Sequence, residues 1–195
     1  MKIGKKFFEE DDVVGIAKKL LGKVLCTQIG GVKTCGIISE TEAYAGATDR
    51  ASHAFNNRRT ARTEVMFGSG GIAYIYLCYG IHHLFNFVTA PENIPHAVLL
   101  RGIFPLEGIE IMEYRRGKKF TYKGFSDGPG KASTCLGINT IHNGTPVTGN
   151  QIWVEDRGFE VNRKNIFTGK RIGVDYAGKD AQLPYRFLLL SNLYT

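Results

Sequence analysis

Cysteine is scarce in this chain and poorly spaced for chemistry. Cys26, Cys35, Cys78 and Cys135 lie far apart, with no C-x-x-C pair and no histidine at zinc-finger spacing. A structural metal site is therefore not expected, and the thiols read as buried and reduced. No apolar run approaches the roughly 20 residues that span a bilayer, which argues against a transmembrane helix. The amino terminus, M-K-I-G-K-K-F-F-E-E-D-D, turns acidic where a secretory leader would need its apolar stretch, so a cytoplasmic, nucleoid-associated protein is expected. Pro-rich and Ser-rich linkers are missing, as are internal repeats, and residues 1–195 are expected to form one domain. Acidic residues are the minority: 18 Asp and Glu against 25 Lys and Arg give a formal +7 and a pI near 9.2. That balance favours a polyanionic partner such as nucleic acid without establishing one, since many basic proteins bind none.

The patterns that are present are mostly those of strands. Asp11 and Asp12 precede V-V-G-I-A-K-K-L-L-G, where Val13, Ile16, Ala17 and Leu20 share a helical face and Gly22 offers a stop, so a short amphipathic helix is predicted. Lys23 to Ile29 and Val32 to Tyr44 flank Gly30-Gly31, a pair that readily takes the positive φ of a hairpin turn. The second of these strands ends in I-I-S-E-T-E-A-Y-A-G-A, residues 37–47, where Glu40, Glu42 and Tyr44 alternate. On an extended backbone their side chains share one face. A carboxylate beside a flat ring suits an enzyme that grips a planar group and activates a water. An edge strand of solvated acids accounts for the same residues, because most charged side chains are exposed.

The polar segment 45–67 carries Arg50, Arg58, Arg59 and Arg62, and loops of this length are usually functional or disordered. Guanidinium matches phosphate geometry; pairing with nearby acids explains the same arginines equally well. Gly70-Gly71 introduces a strand with Tyr74, Tyr76 and Cys78 on one face and Ile75, Leu77 and Tyr79 on the other, and Gly80 turns it back into Leu84 to Ala90. Asn86 interrupts that apolar run; if buried it is a hydrogen-bond hub or a selector of a ligand's edge. Ala97 to Phe104 reads as a strand whose Arg101 must face an acid, a phosphate or a polar cavity. Pro105 is expected to open a helix through Arg115 and Arg116, closed by the basic tract 115–123. D-G-P-G-K leads into a short helix whose first amides, with Lys131, could hold a phosphate, although the full P-loop pattern is missing. Further strands are expected near Gln151 to Val154, Arg171 to Val174 and Tyr185 to Leu190.

Read in order, E-T-E-A-Y-x-G-x-x-D-x-A-S-H, R-T-x-R-T-x-V-M-F, Y-I-Y-x-x-Y-G-x-x-x-x-x-N, A-V-L-L-R, D-G-P-G-K, R-I-G-V and P-Y-R-F resemble the alkylpurine (3-methyladenine) DNA glycosylase family over nearly the whole chain. The resemblance implies a monofunctional base-excision repair enzyme. Such an enzyme flips an alkylated or deaminated purine (3-methyladenine, 7-methylguanine, hypoxanthine or ethenoadenine) out of double-stranded DNA and hydrolyses its N-glycosidic bond without cutting the strand. The sequence itself leaves the oligomeric state open, with a monomer the default expectation, and no cofactor or metal is expected.

By the same resemblance Glu42 is the general base, Arg101 helps hold the attacking water, and a main-chain carbonyl within 171–174 completes the water site. Tyr44, His53 and Tyr76 are walls around the flipped base, Asn86 crowds the exocyclic amine of normal guanine, and Tyr79 wedges into the vacated duplex. Arg58, Arg59, Arg62 and Lys131 become backbone contacts, and Glu40 stays structural. A-F-N-N-R-R after His53 departs from the pattern, leaving individual phosphate assignments open. The fold expected is α+β: one curved, largely antiparallel sheet, an open barrel or roll, flanked by short helices. Two rivals remain: a non-catalytic module that binds damaged nucleic acid or RNA, and a bifunctional glycosylase that works through a lysine Schiff base.

Overall fold

A computed structural model of the chain describes residues 1–121 and 123–190. Val24–Ile29 (β1) and Val32–Tyr44 (β2) form the expected hairpin, turning at Gly30 and Gly31 with φ of 65° and 75°. β2 is the strand on which the sheet is assembled. Its first half pairs with β1, its second half with Arg186–Leu189 (β8), and its other edge with His96–Glu107 (β5), all antiparallel. With neighbours on both edges and packing on both faces, every residue from Thr34 to Ala43 is buried.

Ala73–Cys78 (β3) and His82–Thr89 (β4) extend the sheet beyond β5, and Ile152–Glu155 (β6) extends it beyond β1. Ile166–Gly169 (β7) pairs with β8, giving, among the described residues, eight strands in a sheet that does not close on itself. Short helices pack around it: Val13–Leu20 (α1), Ile109–Arg116 (α2) and Pro129–Leu136 (α3). Asp12 caps α1 by accepting the Gly15 N–H at 2.8 Å, and Val13, Ile16, Ala17 and Leu20 are the residues it buries.

The register determines what each face carries. Cross-strand partners lie on the same side of a sheet, and Glu42, Leu99, Asn86 and Tyr74 are successive partners across β2, β5, β4 and β3. Tyr44, Ala97 and Val88 form the next row. Residues of the other parity, among them Ala43, Val98, Phe87 and Phe85, join the main core with Ile16, Leu20, Ala132 and Cys135. Where β2 meets β5 the pairing slips on both sides of Glu40, leaving Ser39 and Arg101 unpaired. Such bulges redirect side chains, here that of Arg101 beside the two glutamates.

Three expectations need correction. The run from Ala97 stays extended through Pro105 to Glu107, and α2 starts only after Gly108. Pro105 lies opposite Gly36 at a register slip, where its missing N–H costs the ladder little. Arg171 to Val174 is not a strand: Gly173 takes φ 75°, and the segment runs into a 3₁₀ helix, Asp175–Gln182. Cys26 and Cys35 are not free thiols but a disulfide, since the two-residue turn makes them direct partners with Cα atoms 4.2 Å apart. Of the basic tract 115–123, Tyr122 lies outside the described residues.

Candidate active site

Glu42 has no exposed surface. Arg101 Nε lies 3.4 Å from its Oε1, the Ile172 main-chain N–H donates to Oε1 at 2.8 Å, and the Tyr44 hydroxyl donates to Oε2 at 2.9 Å. Burial disfavours the charged form, whereas Arg101, the Ile172 amide and the Tyr44 hydroxyl favour it. Burial prevails, and the Glu42 pKa stands above the ordinary carboxylate value. Glu40, two residues earlier, accepts Arg101 Nε at 3.0 Å and Arg186 Nε at 2.6 Å, so it serves as counter-ion to two guanidiniums.

In front of Glu42 lies a cavity of about 430 Å³, within the roughly 300–1,000 Å³ of small-molecule sites. Tyr44, His53, Tyr76, Asn86 and Arg101 line it, with Tyr79 and Lys131 also on its boundary. The cavity therefore gathers side chains from four strands and a loop. Glu42 is absent from its surface. Tyr44, Arg101 and Ile172, each in contact with the carboxylate, make the intervening wall.

The aromatic walls are rigidly braced. His53 Nδ1 is 2.9 Å from the Tyr74 hydroxyl, and its ring meets Tyr76 edge-on at 4.7 Å. Burial, then the nearby Arg62 and Arg58, push the His53 pKa down to about 4. His53 is thus an uncharged wall at neutral pH. Asn86 is buried and donates to the Tyr74 carbonyl at 3.1 Å, so it is a hydrogen-bond hub and also faces the cavity. Tyr79 stands at the β3–β4 turn with φ 50° and is 91% exposed.

The arginines separate into two groups. Arg62 lies over the Tyr76 ring at 4.9 Å, and together with Arg50 and Arg58 it borders a second cavity of about 380 Å³. The two cavities share Ser52, His53 and Tyr176, and among the described residues no carboxylate lines the second. Arg59 instead binds Glu64 at 2.6 and 2.8 Å, reaches Asn93 at 3.2 Å and covers Phe67. Lys131 is paired at 3.0 Å with Asp127, both of them partly exposed.

Sequence reasoning gave no role to Asp49 or to the Arg171 side chain, and from residues 171–174 it expected a main-chain carbonyl, whereas the contact seen on Glu42 is the Ile172 amide. Arg171 and Asp49 form a fully buried ion pair. An arginine that must be buried implies an acid somewhere, but this partner is 122 residues away. Ile172 acts through its amide, so its side chain gives no sign of the contact.

The sequence profile of the methylpurine-DNA glycosylase family matches residues 6–193. A relative from Chlamydia felis is 48% identical over 184 residues, covering 94% of this chain and 93% of its own. One from Clostridium perfringens is 41% identical over 202 residues, covering 100% of this chain and 98% of its own. One from Bacillus cytotoxicus is 42% identical over 193 residues, 95% of each chain. All three are assigned as 3-methyladenine DNA glycosylases.

Proposed function

The chain belongs to the methylpurine-DNA glycosylase family, and from that premise we propose that Glu42 is the general base that frees an alkylated purine from duplex DNA. The protein is a DNA glycosylase, a hydrolase of N-glycosyl bonds whose substrate is DNA. The observation that carries the finer reading is a buried carboxylate, held by two hydrogen-bond donors and the Arg101 guanidinium, immediately behind a flat-walled cavity.

Extruding a nucleotide costs a few kcal/mol, and stacking on aromatic walls returns roughly 1 to 3 kcal/mol per base. Alkylation of a ring nitrogen leaves many purines cationic, which suits the electron-rich faces of Tyr44 and Tyr76. A neutral His53 adds a wall without repelling that charge. As the glycosidic bond breaks, its electron pair leaves with the base and positive charge builds on the sugar. Ionised Glu42 stabilises that charge and takes the proton of the water that attacks the sugar carbon. Arg101 and a main-chain carbonyl near Ile172 hold the water on the cavity side, and the water reaches the carboxylate when Tyr44, Arg101 or Ile172 shifts from its contact with it.

The substrates in this reading are 3-methyladenine, 7-methylguanine, hypoxanthine and ethenoadenine, with Asn86 rejecting guanine by crowding its amine. Tyr79 fills the vacated stack. Arg58, Arg62 and Lys131 grip phosphates, while Arg59, fully engaged by Glu64 and Phe67, shapes the loop. Residues 1–195 act as one glycosylase domain and as a monomer.

The complete burial of Glu42 also suits a binding module in which the acid merely braces Tyr44. Glu42→Gln separates the two. With purified protein and methylated duplex DNA, release of free base should fall by about 10²-fold or more while binding persists; release at the native rate would falsify the general-base reading. Borohydride should trap no covalent complex, whereas a trapped one would reveal a lysine Schiff base.

A further inference from the structure

A second charged pair lies beneath the site and takes no part in the reaction just described. The side chains of Arg171 and Asp49 are 0% and 1% exposed. Arg171 holds both carboxylate oxygens, Nη2 meeting Oδ1 at 2.9 Å and Nη1 meeting Oδ2. The same guanidinium donates to the carbonyls of Ala43 at 2.9 Å and Asp180 at 3.0 Å. It also lies over the rings of Tyr44 and Tyr185, at 4.8 and 5.4 Å. Asp49 in turn accepts the main-chain N–H groups of Ala45 and Ala51 at 3.1 and 2.9 Å.

One guanidinium therefore ties together the two segments that meet at Glu42, the end of β2 and residues 171–172. Ala43 is its chain neighbour, Tyr44 is its hydroxyl donor, and Ile172, next to Arg171, is its amide donor. Stability alone accounts poorly for such a pair, because apolar replacements of similar volume often match or exceed buried ion pairs. What apolar groups cannot reproduce is a planar fork with several bonds in fixed directions.

We propose that Arg171 and Asp49 are positioning residues that hold the Tyr44 hydroxyl and the Ile172 amide against the two oxygens of Glu42. The inference rests on Glu42 being the general base. The charged and titratable groups packed around Glu42 are Glu40 and Tyr44 of β2, Arg101 of β5, Arg186 of β8 and Arg171 itself. Tyr44 and Ile172 are two of the influences that hold the Glu42 pKa down; released, they leave burial less opposed. The acid limb of the pH–rate profile then moves to higher pH.

The test is single-turnover base release from dimethyl-sulfate-treated duplex DNA by the full chain, followed across acid and neutral pH. In Arg171→Met with Asp49→Asn, which removes both charges together, the rate at saturating enzyme should fall on the order of tenfold to a hundredfold. The acid limb should rise, and the half-saturating enzyme concentration should stay within about threefold. A folded double variant with the native rate and the native limb overturns the proposal. Should that variant not fold, Arg171→Lys decides, since it keeps the charge but lacks the fork and the plane. A raised limb in Arg171→Lys supports positioning; a native limb and rate overturn it. Glu42→Gln run alongside separates the two readings: if it also releases base normally, the general-base assignment is what fails.

Discussion

A side chain's ionisation in this site follows from how much water it can see. His53 is the clearest case, its pKa pushed down to about 4 from the ordinary 6.5 chiefly by burial. The unfolded chain takes up a proton near the ordinary value and the folded chain does not. His53 therefore contributes stability that is complete above about 6.5 and lost as pH falls from there towards about 4. Urea denaturation of His53→Gln should show a smaller loss of stability across that window than the native chain, with His96 and His142, also lowered by burial, retaining part of it. An identical loss in both proteins would contradict the assignment. Alternation puts Glu42 and Tyr44 on one face and Tyr74 and Tyr76 on one face, but it leaves Glu42 open to the reading of a solvated acid; the roles expected of Glu42, His53, Asn86 and Arg101 come from the family resemblance and not from the pattern. The Arg171–Asp49 pair is not legible, since two charges 122 residues apart carry no mutual signal until the chain is folded.

Among the elements, the β3–β4 turn is where geometry conflicts with local preference. Tyr79 takes φ 50°, a region that disfavours most residues with a Cβ, and Gly80 follows at 73°. A tyrosine held there at 91% exposure is poorly explained by folding alone. Tyr79→Asn, a residue more tolerant of that conformation, should leave the unfolding free energy unchanged or raise it by up to about 1 kcal/mol, while base release from duplex DNA falls. A loss of stability with native release would refute the trade-off. The elements that the sequence predicts well are those decided locally, such as α1 with its Asp12 cap and the β1–β2 hairpin with its glycine pair. Pro105 and the segment 171–174 escape prediction because distant strands decide them: β2 accepts the proline at a register slip, and β7 takes the place beside β8.

For the molecule as a whole, the question is which part of the +7 charge meets DNA. Arg50, Arg58 and Arg62 border a cavity without a lining carboxylate, next to the aromatic one. Each phosphate contact releases counterions, so log K falls with log salt by about 0.9 per contact. Arg58→Ala and Arg62→Ala should each flatten that slope by roughly one contact, while Arg59→Ala should leave it unchanged. Fluorescence-anisotropy titrations of a lesion-bearing duplex at several salt concentrations read this directly, and a flattened slope for Arg59→Ala would show that its pairing with Glu64 yields to DNA.

The Ile172 contact has an outcome for mutational tolerance. Its gift to Glu42 is a peptide hydrogen, and the residue itself is 50% exposed. Nineteen of the twenty amino acids carry that hydrogen, so position 172 can drift in identity while the contact persists. Proline is the exception. In a saturation library scored for survival under an alkylating agent, Ile172→Val and Ile172→Ala should grow like the parent and Ile172→Pro should not; equal growth of all three would mean the amide is dispensable.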